Sequence, residues 1–210
     1  MNTLLLLSLI LMIGFSLGRL RTQSLLEHRG ETVVRRLLVS KLHDDEFHLL
    51  NNITLKTEDG TTQIDHILVS TRGVFVIETK SHSHWIFVNE KSKKWTQILP
   101  GGLKFGFQNP IRQNYKHLMA VRGLLDFLPE QVFIPLVVFT GQAKFKTARP
   151  KGVLYSRELV SFIKSHPNGA LSLNRVAFSV GKIECARMQI TRKTDLEHQA
   201  HLEKKFGRLQ

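Results

Sequence analysis

Two hundred and ten residues, 42% hydrophobic and 22% charged, make one globular domain with a core and an extension, and exclude a disordered chain. Thirty Lys and Arg against seventeen Asp and Glu leave a formal net charge of +13. That charge favours a polyanionic partner, nucleic acid or an anionic membrane surface, beside the plainer reading of general solubility. The single Cys185 excludes an intramolecular disulfide framework and a Cys-based zinc site.

Residues 3–18 are almost continuously apolar and uncharged, and Arg19 and Arg21 follow. The run is somewhat short for a spanning helix, which needs about 20 residues. Two readings stand: an uncleaved transmembrane anchor over residues 1–22, or the core of a signal segment. Met1-Asn2-Thr3 offers no basic start, and Ser16-Leu17-Gly18 is a weak cleavage site. Positive charge on the C-terminal side places the body of an anchored chain in the cytoplasm, whereas cleavage would export it.

The spacing of Leu26, Val33, Val34, Leu37, Leu38 and Leu42 predicts a helix over 24–42. Gly30 lies within it and either weakens the helix or permits close backbone approach. Strands are expected near 47–55, 62–70 and 74–80, with a turn at Thr57-Glu58-Asp59-Gly60. A second pair, 85–88 and 94–99, flanks the charged residues 89–93, and Pro100-Gly101-Gly102 breaks the chain.

Strands 62–70 and 74–80 carry the chemistry. If Ser70 and Gly73 close a two-residue loop, Asp65 lies opposite Glu78, and Gln63 lies opposite Lys80. Alternation then places all four polar groups on one face, with opposed Cβ atoms about 4.5–5.5 Å apart. Two carboxylates that close call for a positive charge between them: a divalent metal, helped by Lys80. A three-residue loop would slip the register and send Asp65 and Glu78 to opposite faces, leaving a hairpin with a solvated polar face.

Asn109-Pro110 opens a helix to about Phe127, an N-cap residue followed by proline at the first helical position. Ile111, Tyr115, Leu118, Met119 and Leu125 form its expected apolar face, with Arg112, Gln113, Lys116 and Arg122 polar. Residues 132–140 read as a buried strand. Lys144, Lys146, Arg149 and Lys151 read as a basic loop, 156–165 as a short helix, 173–180 as a strand and 195–206 as a charged helical tail. The order helix, strands, helix, strand predicts an α/β fold with a mixed central sheet flanked by helices.

Several separated motifs occur in order: Arg29-Gly30-Glu31, Gln63-Ile64-Asp65-His66, Glu78-Thr79-Lys80 and Asn109-Pro110 followed by Gln113. Together they resemble the nuclease-related domain, NERD, which is similar to the PD-(D/E)xK nuclease superfamily. The resemblance runs from about Arg29 to Thr140 and implies a restriction-endonuclease-like α-β-β-β-α-β core. It divides the chain into an anchor or signal segment over 1–22, a nuclease-like domain over 24–142 and a basic extension over 143–210 packed on it.

The resemblance implies that Asp65 and Glu78 hold Mg²⁺, with Mn²⁺ an alternative. It implies that Lys80 orients water or stabilises charge on the phosphate, that Glu31 completes the acidic cluster, and that Gln113 faces the site. Gln63 matches the family pattern without an assigned role, and is grouped with the nucleic-acid contacts. Here Ser81-His82-Ser83-His84 follows the lysine, where the family often shows Asn and then Gly. His82 and His84 are metal or substrate contacts, or solvated strand histidines.

The expected activity is a Mg²⁺-dependent nuclease acting on nucleic acid, DNA above all, at the cytoplasmic face of a membrane. Arg112, Lys116, Lys144 and Lys146 are its candidate phosphate contacts beside a solvated basic surface. Trp85 and Trp95 are either base-stacking or core residues. The alternatives are a catalytically inactive binding or scaffold module on the same fold, and a peripheral protein whose charge serves anionic lipid.

Overall fold

The computed structural model describes residues 28–42, 46–58 and 60–189. The apolar run 3–18 and the charged tail 195–206 lie outside the described residues. Among the described residues no helix is long and apolar enough to cross a membrane.

A helix over 28–41, α1, leads into three long strands, β1 (Phe47–Thr57), β2 (Gly60–Ser70) and β3 (Gly73–Lys80). Strands β4 (His84–Phe87), β5 (Lys94–Ile98) and β6 (Lys104–Gln108) follow, then helix α2 (Pro110–Leu124) and strand β7 (Phe133–Phe139). The described chain closes with β8 (Ala143–Phe145), β9 (Val153–Tyr155), α3 (Ser156–Ser165) and α4 (Leu173–Ala186). The first sheet has the order β1-β2-β3-β7-β9, and the second β6-β5-β4-β8. Strands β1, β2 and β3 run antiparallel, while β3, β7 and β9 pair in parallel, so the central sheet is mixed. Elements α1, β1, β2, β3, α2 and β7 form the expected α-β-β-β-α-β core, with β4 to β6 inserted before α2.

The register between β2 and β3 is the two-residue-loop alternative. Ser70 pairs with Gly73, and the ladder continues to His66 and Ile77. Thr71 and Arg72 make this turn without positive φ, so the strain falls on Gly73, whose φ is 136°. A side chain on Gly73 would meet the Val132 carbonyl oxygen at 2.6 Å.

The sheet is covered on both faces. One face packs Val74, Val76 and Ile67 against Leu118, Val121 and Leu125 of α2 and Val176 and Ile183 of α4. The other packs Leu68, Phe75 and Ile77 against Val34 and Leu38 of α1 and Leu159 and Ile163 of α3. Burial on both sides explains why β3 reads as an unbroken apolar run before its polar end. The second sheet packs Ile86 and Trp95 against Val137, Phe139 and Val153.

Three expectations change. Residues 173–180 are not a strand but the first part of α4. Ser172 caps it by accepting from the Arg175 amide at 3.4 Å, and Val176, Ser179 and Ile183 are buried at helical spacing. The basic stretch 144–151 is not all loop, because Lys144 lies within β8, paired with Trp85. Tyr115 and Met119 do not belong to the buried face of α2: both are exposed, while Asn114 and His117 turn inward. These two polar side chains are buried because strand carbonyls and a carboxylate receive their N–H groups.

Candidate active site

Strands β2 and β3 part where the acidic residues begin. Their ladder ends at His66 and Ile77, although β2 extends back to Gly60 and β3 forward to Lys80. Beyond that point β2 pairs with β1 alone and β3 with β7 alone. The β1 ladder also lapses opposite Asp65, at Asn52, which takes a left-handed φ of 51°. Asp65 and Glu78 therefore stand at the fork of the sheet. Asp65 Oδ2 accepts from the Thr79 amide at 2.7 Å, and this contact holds the fork together where the backbone ladder does not.

Glu78 is buried, and both its oxygens have donors. Lys80 Nζ lies 2.6 Å from Oε1, and His117 Nε2 donates to Oε2 at 3.1 Å. The far side of the His117 ring, Nδ1, lies 2.7 Å from the Thr62 hydroxyl. One turn earlier on α2, Asn114 donates to the Val76 and Leu136 carbonyls of β3 and β7, at 3.0 and 2.9 Å. These contacts fix the face of α2 against the site.

The carboxylates differ electrostatically. Burial pushes the Asp65 carboxyl well above its usual range, and the charges of Glu78 and Glu31 push it further, against the opposing pull of Lys80 and the Thr79 amide. Burial also raises Glu78, but Lys80 and His117 overcome it and leave a net lowering. Glu31 reaches this field from α1 because Gly30 lets the helix sit close to the sheet. A Cβ at Gly30 would stand 2.8 Å from Thr140 Oγ1 and 3.0 Å from Ser81 Cβ.

The structure thus brings Asp65, Glu78 and Lys80 together, with Glu31 within electrostatic reach. Gln113 is half-buried on α2, one turn before His117. Gln63 is exposed on β2, opposite Thr54. Arg112 is exposed and donates to the Lys91 carbonyl at 3.0 Å, bracing the β4–β5 connection. Lys116 is exposed beside a groove between β1, β2 and α2. Lys144 lies in β8 of the second sheet and Lys146 just past its end, with Lys146 Nζ 4.7 Å from the centre of the exposed Trp85 ring; Trp95 is core. His82 is half-buried against Phe107. Nothing in the sequence alone marks His117, Asn114 or Thr62 as site residues. The spacing only sets Asn114 and His117 in one stripe with Leu118 and Val121.

The carboxylate pair suits a hard cation. Mg²⁺ takes oxygen ligands and keeps several waters, so it does not need a complete protein cage. Among the described residues no group of three His, Cys, Asp or Glu side chains converges for metal binding. The fit rests on the pair itself and on the crowded negative charge that raises Asp65, which a cation would relieve.

A core of this order with an acidic pair and lysine at the fork of its central strands defines a nuclease-related domain of the PD-(D/E)xK-like group. The chain belongs to the NERD family, the nuclease-related domain, which matches residues 26–140. It is also 35% identical over 184 residues to a Bacillus anthracis protein described as uncharacterized, covering 85% of this chain and 84% of that one. No solved structure matches.

Proposed function

We propose that this chain is a metal-dependent nuclease that hydrolyses phosphodiester bonds of nucleic acid, DNA above all. The observation that carries this reading is the convergence of Asp65, Glu78 and Lys80 at the fork between β2 and β3. Asp65 and Glu78 would hold Mg²⁺ or Mn²⁺. When bound, the metal would polarise the phosphate and lower the pKa of a water.

The chain's own groups supply the rest. Lys80 brings an ammonium to the phosphate as negative charge builds on its oxygens. His117, backed by Thr62, fixes the Glu78 carboxylate through Oε2. Glu31 adds negative charge from α1, and Gln113, one turn before His117 on α2, would face the site. Exposed Lys116, Lys144 and Lys146 offer contacts to the phosphate backbone away from the cut. The apolar run 3–18 supports tethering to a membrane with the domain on the cytoplasmic side.

A second reading has its own observation: Lys80 and His117 already satisfy both Glu78 oxygens. Such a cluster stands without a metal and suits an inactive nucleic-acid-binding module. Incubating the full chain with circular and linear DNA in Mg²⁺, Mn²⁺ or EDTA, beside Glu78→Gln, separates the two. Metal-dependent cutting that the variant abolishes establishes the nuclease. Binding without cutting in any metal establishes the module. A reporter fused after Gln210 tests the tether, and reporter activity outside the cytoplasm would overturn its orientation.

A further inference from the structure

On the α1 side of the fork lies a second concavity, a cleft of about 680 Å³ between α1 and strands β1 and β2. Its floor is His66, which is 1% exposed. His66 Nδ1 lies 2.7 Å from Asn51 Oδ1, an acceptor, so Nδ1 carries the proton and Nε2 presents a lone pair. Nε2 is buried and has no hydrogen-bond partner. A buried acceptor left without a donor costs stability, and in a cleft it marks the place for a ligand that brings one.

The rim states the charge of that ligand. Arg29, Arg35 and Arg36 of α1 line the cleft and are exposed, against the single carboxylate of Glu31. A metal ion is a poor occupant, because three guanidinium groups repel it and no three-donor group converges among the described residues. An anion with its own N–H or O–H donor fits both ends. Glu31 also acts on Asp65, so the cleft adjoins the acidic pair.

We propose that this cleft binds a nucleotide unit of the nucleic-acid partner, with phosphate on Arg29, Arg35 and Arg36 and a sugar hydroxyl or base amino group donating to His66 Nε2. The occupant's chemistry rests on the reading of the site as one that acts on nucleic acid. Its volume lies within the range of small-ligand pockets. A polar floor of this kind discriminates strongly, because an analogue without the donor leaves Nε2 buried and unpaired.

The test is titration of the full chain with AMP, dAMP and purine riboside 5′-monophosphate, which lacks the amino group, followed through the ¹⁵N resonances of labelled histidine. AMP is expected to bind saturably and shift His66 Nε2. Loss of one donor, the 2′-hydroxyl or the amino group, is expected to weaken binding about tenfold. Arg35→Glu with Arg36→Glu, on an exposed face where folding is safe, is expected to weaken it by about tenfold or more. His66→Phe is expected to erase the difference between the analogues.

No saturable binding overturns the proposal. So do unchanged affinity in the arginine variant and equal affinity for all three nucleotides. Cleavage is scored separately. A chain that binds AMP in this way but cuts no DNA keeps the cleft and removes the nuclease, and one that cuts with an unchanged arginine variant does the reverse.

Discussion

His117 of α2 donates to Glu78 of β3 across the covered face of the sheet, Nε2 to Oε2 at 3.1 Å, with both side chains buried. The contact ties the proposed catalytic carboxylate to the helix that follows the inserted strands. Removing the donor leaves a buried carboxylate oxygen unsatisfied. His117→Ala is therefore expected to cost about 1–3 kcal/mol of stability in urea unfolding, and to lower any cleavage at constant metal. His117→Gln, which restores an N–H, is expected to recover part of both. An unchanged unfolding midpoint in His117→Ala would show that the contact holds nothing.

That residue marks the limit of what the sequence discloses. The sequence narrows the register of β2 against β3 to two alternatives, because Ser70 and Gly73 bracket a short turn between two apolar runs; the two-residue loop is the one found, and it brings Asp65 and Glu78 to the same fork. The fork itself was not readable, since it depends on β1 and β7 drawing the two strands apart. His117 and Asn114 were hidden because a polar residue in a helix reads as a surface residue until its partner's strand is placed beside it. Strand β6 is faint in the sequence because it is five residues long, follows Pro100-Gly101-Gly102 closely and has Gly106 at its centre. Helix α4 reads as a strand in its first half because the exposed Leu173 and Phe178 blur the helical spacing of its buried Val176 and Ile183.

Asp65 sets function against stability. Its folded pKa lies well above the unfolded value near 3.8, raised by burial and by Glu78 and Glu31. As pH rises past 3.8 the unfolded chain releases this proton first, so stability falls until the folded carboxyl also ionises. Asparagine cannot ionise. Asp65→Asn is expected to raise the melting temperature in EDTA at neutral pH while abolishing metal-dependent cleavage. Mg²⁺ is expected to stabilise the natural chain and not the variant. A variant that melts lower in EDTA would contradict the crowding of charge at the fork.

His66 predicts an acid-side loss. Burial lowers its pKa to about 4, further depressed by Arg35 and partly restored by Glu78. The folded state keeps the ring neutral while the unfolded state takes a proton below about 6.5. Stability is thus complete above pH 6.5 and falls as pH drops toward 4. His82, lowered to about 4 by burial and by Lys80, adds to the same slope. Comparing urea midpoints at pH 7 and 4.5, the loss in the natural chain is expected to exceed that in His66→Gln by about 2–3 kcal/mol. Equal losses would place the buried proton elsewhere.

Gly30 sets the approach of α1 to the ends of β3 and β7, and with it the reach of Glu31. A Cβ there would stand 2.8 Å from Thr140 Oγ1, 3.0 Å from Ser81 Cβ and 3.3 Å from Thr79 Cγ2. In the middle of a helix alanine ordinarily stabilises relative to glycine by about 0.5–1 kcal/mol. Here steric contact opposes that gain, and a branched side chain reverses it. Gly30→Val is expected to cost about 1–3 kcal/mol by overpacking. By lifting α1 it also withdraws Glu31, so the pKa of Asp65 is expected to fall toward the ordinary carboxylate range, read by carboxyl ¹³C titration in EDTA. If cleavage depends on Glu31 at the fork, the variant loses activity even at a temperature where it remains fully folded. A stable variant with full activity and an unmoved Asp65 titration would show that Glu31 acts from solvent and that the close packing of α1 serves the core alone.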